Sequence, residues 1–229
     1  MVLKTNAVQA EEGGPETALM DYYETLLNAF GPQGWWPGRT RLEVIVGAIL
    51  TQNTAWTNVE KAIKGLKKEG LLNPEGLRRL QTEKLAAIIR PAGYFNVKAA
   101  RLKNFLRFLF KDYGGSLTRL FSTGGGGGLR ERILEVNGIG PETADSILLY
   151  AGRRAEFVVD AYTKRVFSRH GFVKGAVGYE ELKGLFMENL PLDVELFNEY
   201  HALIVRVGKY YCRPKKPLCR DCPLKVFLK

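Results

Sequence analysis

Three groups of residues in this chain carry chemistry by type and spacing. The first is Asp160, a lone carboxylate closing the apolar run Phe157-Val158-Val159 that follows Glu156. An acid in that place can cap the next helix by accepting its first-turn N–H groups. The same fixation would make it a rigid general base, or a stabiliser of developing positive charge. The second group is Asn137-Gly138-Ile139-Gly140-Pro141. Two glycines around one apolar residue allow a turn with positive φ, Ile139 can plug between two helices, and Pro141 suits a first helical position. Backbone N–H groups of that turn and of the helix after it, which carries Thr143, can face a phosphate with help from the helix dipole. The third group is Cys212, Cys219 and Cys222, clustered near the end of the sequence. Such clustering in a basic tail points to metal or cluster ligation rather than to a disulfide framework.

The elements that must position these groups read as helices. Apolar residues recur at helical spacing over 17–30, 41–52, 59–70, 74–80, 82–89, 96–113, 129–135, 141–151, 160–169, 178–189 and 195–208. Segment 41–52 is apolar on most faces, so it is expected to be a buried central helix. Glu156-Phe157-Val158-Val159-Asp160 could form a short strand, but nothing nearby pairs with it. The consistent fold class is all-α. The glycines at 124–128 lack the strand-before, helix-after setting of a phosphate loop and read as a connecting loop.

Composition narrows the partners. The 229 residues hold 34 Lys and Arg against 24 Asp and Glu, a formal charge of +10. That excess favours polyanions and salt-sensitive phosphate contacts. No run approaches the length of a membrane span, and residues 1–16 lack an apolar signal core, so a flexible tail and a cytoplasmic location are expected.

Taken together, the helix, the Gly-Ile-Gly hairpin, the Pro-start helix and the Val159-Asp160 pair resemble the helix-hairpin-helix DNA glycosylases of the endonuclease III superfamily. The resemblance runs from about residue 17 to the end. It implies a two-lobed fold with a central six-helix barrel-like domain. Residues 38–150 would form that domain and end in the hairpin, while 17–37 and 151–229 would form a discontinuous lobe with the cysteine tail. It further implies that Gly138, Ile139, Gly140 and Thr143 hold the DNA backbone and that Asp160 is the catalytic carboxylate. Bifunctional members carry a Lys at the position of Glu142, where an amine forms a Schiff base with the sugar. A carboxylate cannot do so, and a monofunctional hydrolase acting on a damaged base in duplex DNA is expected. Glu142 itself suits a solvated first-turn acid.

An enzyme that takes a nucleotide out of the stack must fill the gap. Gln52, with Asn53 second, resembles the family's filler in Thr51-Gln52-Asn53-Thr54. Trp35, Trp36 and Trp56 are all the tryptophans of the chain. Their faces would favour a cationic, alkylated purine by stacking and cation–π attraction. This pattern is similar to the 3-methyladenine glycosylases of the superfamily (MagIII-type), and Lys209 resembles a position near the pocket. In Arg90–Ala99, Tyr94 and Phe95 read as packing residues, and Lys98 and Arg101 as phosphate-facing or solvated cations. The cysteine spacing resembles a [4Fe–4S] loop, but the fourth ligand would fall on Leu228. Three free thiols, or a cluster with another group at the fourth iron, both remain open, and the chemistry itself requires no cofactor. Three alternatives stand beside the monofunctional reading: a glycosylase with lyase activity, a thymine or uracil mismatch glycosylase, and a non-catalytic DNA binder. The expected partner is duplex DNA with a damaged base, met by a monomer without a membrane.

Overall fold

A computed structural model describes residues 14–36, 38–122 and 128–228 of the chain. Most of the expected tail, Pro37 and the glycines at 124–127 lie outside these residues. The described chain is helical and contains no strand. Twelve helices run in order: α1 Pro15–Phe30, α2 Arg41–Thr51, α3 Trp56–Lys68, α4 Pro74–Arg79, α5 Thr82–Ile88, α6 Phe95–Tyr113, α7 Leu117–Ser122, α8 Leu129–Leu134, α9 Pro141–Ser146, α10 Ala161–Arg169, α11 Tyr179–Asn189 and α12 Val194–Tyr210. Among the described residues no helix is long and apolar enough to cross a membrane. The chain divides into two compact units, one of residues 36–154 and one of 1–35 with 155–229.

The 36–154 unit is built around α2. Residues 42–50 are all buried, as the apolar sequence requires. Thr40 caps this helix by accepting the Glu43 N–H at 3.2 Å. Glu43 is the one charged residue among the buried positions of this helix, and Lys67 meets its carboxylate at 2.6 Å. The second half of the unit is the hairpin pair, α8 and α9. Arg130 on α8 grips Asp145 on α9 through two hydrogen bonds of 2.7 and 3.0 Å. Asp145 is fully buried, so this bidentate pair ties the two helices where water cannot compete. Beyond α9 the chain continues without a break as a π-helical turn, Ile147–Ala151, all of it buried.

The other unit packs α1, α10, α11 and α12 around an aromatic core. Phe157 stacks on Phe186 at 3.8 Å and meets Phe197 edge-on at 5.3 Å. The Tyr200 hydroxyl crosses to α1, donating to the Leu19 carbonyl at 2.7 Å. Phe157, Val158 and Val159 thread this core in extended form, each no more than 1% exposed. Two of their backbone donors find side chains rather than a partner strand. Phe157 N–H meets Met187 Sδ at 3.3 Å and Val159 N–H meets the Tyr179 hydroxyl at 3.4 Å. That is why an apolar run with strand composition forms no sheet.

Hydrogen bonds to a charged group are worth about 1.5–3 kcal/mol, and Arg130 gives the buried Asp145 carboxylate two of them. Arg130→Ala is therefore expected to lower the urea midpoint steeply with an unchanged slope. A change of less than ~1 kcal/mol would show that the Arg130–Asp145 pair does not hold the hairpin helices together.

Candidate functional site

Asp160 is the residue just before α10, with extended backbone, and it closes a capping box with Thr163. Its Oδ1 accepts the Thr163 N–H at 2.8 Å and the Thr163 hydroxyl at 3.0 Å. Its Oδ2 faces His201 Nε2 on α12 at 3.6 Å, too long for a hydrogen bond but close for a charge. The Asp160 side chain is 12% exposed. Burial pushes its pKa up, but His201 and the two Thr163 donors outweigh this and hold the carboxyl below its ordinary range. The result is an ionised, rigid carboxylate with one oxygen spent on the helix and the other turned to His201. The sequence placed the cap correctly. It gave no sign of His201, which lies forty-one positions further on and comes to Asp160 only through the packing of α10 on α12.

The hairpin forms a second cluster, in the 36–154 unit. Gly138 sits at φ +92°, which L-residues avoid, and a Cβ there would lie 2.3 Å from Arg101 Cγ. Gly140 differs. Its φ is −92° with extended ψ, and a Cβ would meet nothing within 4 Å. The fold thus needs a glycine at 138 but not at 140. Ile139 and Thr143 are 5% and 6% exposed, so their side chains serve the interior, and the turn offers its backbone outward.

Three side chains brace the hairpin. Gln52 donates to the Gly138 carbonyl at 3.1 Å and to Thr143 Oγ1 at 2.9 Å. Arg101 on α6 donates to Gln52 Oε1 at 2.5 Å, and Asn104, one turn further on, donates to the Asn137 carbonyl at 2.8 Å. The amide expected to fill a duplex gap is thus docked on the hairpin. Its neighbour Asn53 is exposed in left-handed backbone at φ +52°.

Two readings of the 90–99 loop change. Lys98, read as a phosphate-facing or solvated cation, is 1% exposed. Its ammonium donates to the carbonyls of Leu50 and Ala92 at 2.8 Å and to Thr54 Oγ1 at 2.6 Å. It thereby satisfies a carbonyl at the end of α2 and locks the Thr51–Thr54 turn to the loop. Burial, and then the Arg101 charge, lower its pKa to about 8. Tyr94, read as packing, is 72% exposed in left-handed backbone at φ +44°, a strained setting that places a bare aromatic ring on the surface of the unit.

Of the aromatic residues, Trp36 and Trp56 come together at 5.1 Å, edge to face. Tyr150, not singled out by sequence, joins Trp36 at 4.8 Å from the π-helical turn. Gly47 on α2 makes the room, since a Cβ there would press on both indoles at 3.3–3.4 Å. The three rings form one aromatic wall. Trp35 and Lys209 belong to the other unit. Lys209 is exposed with its ammonium 5.3 Å from the Tyr210 ring. Glu142 is exposed in the first turn of α9.

A four-iron cluster takes four ligands, thiolates by preference. Among the described residues no group of three or more Cys, His, Asp or Glu side chains stands together to hold a metal ion. Cys212 and Cys222 are buried, Cys219 is exposed, and all three are free. Position 228 supplies the hydrocarbon side chain of Leu228. These donors do not make the four-ligand set such a cluster wants. Arginines from α10 tie the tail instead. Arg165 donates to the Cys212 carbonyl at 2.6 Å. Arg169 donates to Cys212 Sγ at 3.3 Å and to the Arg213 and Pro214 carbonyls at 2.6 and 2.7 Å.

Comparison with known proteins assigns this architecture. Residues 46–192 match the HhH-GPD superfamily of base excision DNA repair proteins, and the chain belongs to that superfamily. A candidate DNA repair glycosylase of Methanocaldococcus jannaschii is 52% identical over 205 residues, which span 90% of this chain and 93% of the relative. The crystal structure of the Helicobacter pylori 3-methyladenine DNA glycosylase bound to 1,N6-ethenoadenine is 28% identical, with a TM-score of 0.73 over 86% of this chain and 98% of that one. A non-covalent endonuclease III–DNA complex shares the fold, with a TM-score of 0.80 at 21% identity over 93% of this chain and 95% of that one.

Two expectations follow. Gly138→Ala forces a side chain into positive φ and onto Arg101, so it should cost roughly 1–3 kcal/mol of stability as well as DNA affinity. Gly140→Ala should leave the melting temperature within ~2 °C while weakening duplex binding, because nothing in the fold occupies the added methyl's space; equal stability losses in the two variants would contradict this. Asp160 holds its proton less tightly folded than unfolded, so the unfolded chain binds more protons in acid. The stability this carboxylate contributes is full above its ordinary pKa of 3.8 and is lost as pH falls through the lower folded value. Asp160→Asn should accordingly flatten the acid limb of the stability curve, measured by urea unfolding from pH 7 to 3.

Proposed function

We propose that this protein is a monofunctional DNA glycosylase that hydrolyses the N-glycosidic bond of a damaged base, an alkylated purine of the 3-methyladenine kind, in duplex DNA. The observation that carries the reading is the state of Asp160: ionised, fixed at Oδ1 by the helix it caps, turned to His201 at Oδ2, and still 12% exposed as a side chain. The superfamily supplies the broad activity, base excision DNA repair. Asp160 supplies the chemistry. As the base leaves with the bond's electron pair, positive charge grows at C1′ and on the ring oxygen, and a nearby carboxylate stabilises it. The same oxygen takes a proton from the attacking water. The products are a free base and an abasic site.

The backbone of the Gly138–Gly140 turn holds phosphates. Gly140 supports this, because its glycine is unexplained by the fold and suits close approach by another molecule. Asn53 and Tyr94, both exposed in left-handed backbone, suit contact with the opened duplex. Gln52 can fill the gap by leaving the hairpin. Glu142 stands where the resemblance places an amine, so hydrolysis, not Schiff-base chemistry, is the route. The substrate class is supported by the wall of Trp36, Trp56 and Tyr150, which suits an electron-poor base, and by the ethenoadenine held by the 28% identical Helicobacter pylori enzyme.

The test is chromatography of bases released from methylated duplex DNA. Wild-type protein should release 3-methyladenine, and Asp160→Asn should be at least ~10³-fold slower in single turnover. Asn caps a helix as well as Asp does, so the variant separates chemistry from folding. Borohydride should trap no covalent adduct. A trapped adduct would establish a lyase, and release of uracil or thymine alone would move the substrate to mismatched pyrimidines. Binding without release of any base by wild type would make the protein a binder.

A further inference from the structure

We infer that His201 is a positioning residue for Asp160, acting from α12 to aim Oδ2, the oxygen left over from the helix cap, at the reacting sugar. The inference rests on the reading of Asp160 as the reacting carboxylate. The two oxygens are held differently. Oδ1 has both Thr163 donors, which fix one end of the carboxylate but leave it free to pivot. Oδ2 has His201 Nε2 at 3.6 Å across the packing of α12 on α10. A few tenths of an ångström turn this contact into a hydrogen bond.

The separation of the two helices is itself controlled. Gly208 lies seven residues after His201, two turns along the same face of α12. A Cβ on Gly208 would strike Tyr162 Cδ1 of α10 at 2.6 Å, and Arg165 of α10 donates to the Gly208 carbonyl at 2.9 Å. The glycine therefore lets α12 settle on α10 at the depth that brings His201 to Asp160. His201 is 5% exposed. A buried, hydrogen-bonding ring is costly to keep among apolar residues, and a leucine would fill the space more cheaply. The groups acting on the Asp160 carboxylate are His201 on α12 and the Thr163 N–H and hydroxyl on α10. The charged Arg165 on α10 is turned to the Gly208 and Cys212 carbonyls.

The experiment compares His201→Gln and His201→Leu with wild type in single-turnover base release from methylated duplex, or from a uracil-containing duplex if that is the one cleaved. At neutral pH His201→Leu should lose about 10–100-fold in rate with duplex affinity within ~2-fold, while His201→Gln, which keeps a donor, should recover most of the rate. Both variants remove the imidazole that helps hold the Asp160 carboxyl below its ordinary range, so both should move the acid limb of the rate profile to higher pH. The Asp160 carboxyl carbon, followed by NMR, should titrate upward in the same variants without any substrate. Superimposable acid limbs and titrations would overturn the inference, as would equal losses in both variants with an unmoved limb, the mark of a packing role. If His201→Leu fails to fold, the His201→Gln titration decides alone. Should Asp160 titrate upward while base release stays at the wild-type rate, His201 does act on Asp160 and it is the catalytic reading of Asp160 that fails.

Discussion

A carboxylate can stay ionised out of water only where fixed donors replace its hydration shell. Asp160 meets that constraint by sitting at the start of a helix. The first turn of α10 has N–H groups without intrahelical partners, and Asp160 takes the one at Thr163 together with the Thr163 hydroxyl. The helix gains its cap and the acid keeps its charge in one interaction. Everything else about this part of the molecule is arranged to deliver the acid there: Phe157, Val158 and Val159 anchor the preceding segment in the aromatic core, and Glu156 is tied to Lys183 on α11.

The same economy recurs at other helix ends. Lys98 donates to the Leu50 carbonyl in the last turn of α2 and holds the turn that carries Gln52 and Asn53. Gly140 and Pro141 open α9, where the Gly140 side of the turn supplies no side-chain cap and the dipole end of the helix begins. Arg165 reaches the Gly208 carbonyl near the end of α12. In each case a polar group that helix geometry leaves unsatisfied becomes the place where a functional segment is fixed. A helix interior satisfies its own backbone, so its ends are where a polar side chain can be held rigidly by that backbone.

Much of this was legible from sequence because it is local. The helical periods gave eleven of the helices to within a few residues, and the Asp160 cap and the hairpin follow from residue types next to one another. Helix α7 was missed because Leu117–Ser122 shows barely two turns and one buried apolar residue, Leu120. The π-helical turn at 147–151 has no signature in a uniformly apolar run. His201, Tyr150 and the contact of Arg101 with Gln52 escaped for another reason: each acts on a residue far away in sequence, and helical spacing marks a face without saying what that face meets. Lys98 and Tyr94 were assigned by type, cation outward and aromatic inward, and the structure reverses both. The Lys ammonium is needed by three inward acceptors, while the left-handed backbone at Tyr94 turns its ring to solvent.

Lys98 also bears on the choice between hydrolysis and amine chemistry. A lysine whose pKa is lowered to about 8 has the proton affinity expected of a Schiff-base nucleophile. Nucleophilicity needs a free lone pair and a path to the substrate as well. The Lys98 nitrogen is 1% exposed as a residue, and all three of its donors are directed at acceptors 2.6–2.8 Å away. Deprotonation would break up the turn that carries Gln52 before it yielded a usable amine. Its lowered pKa is the cost of burying a cation that ties a helix end, and the chemistry is left to the carboxylate at the start of α10.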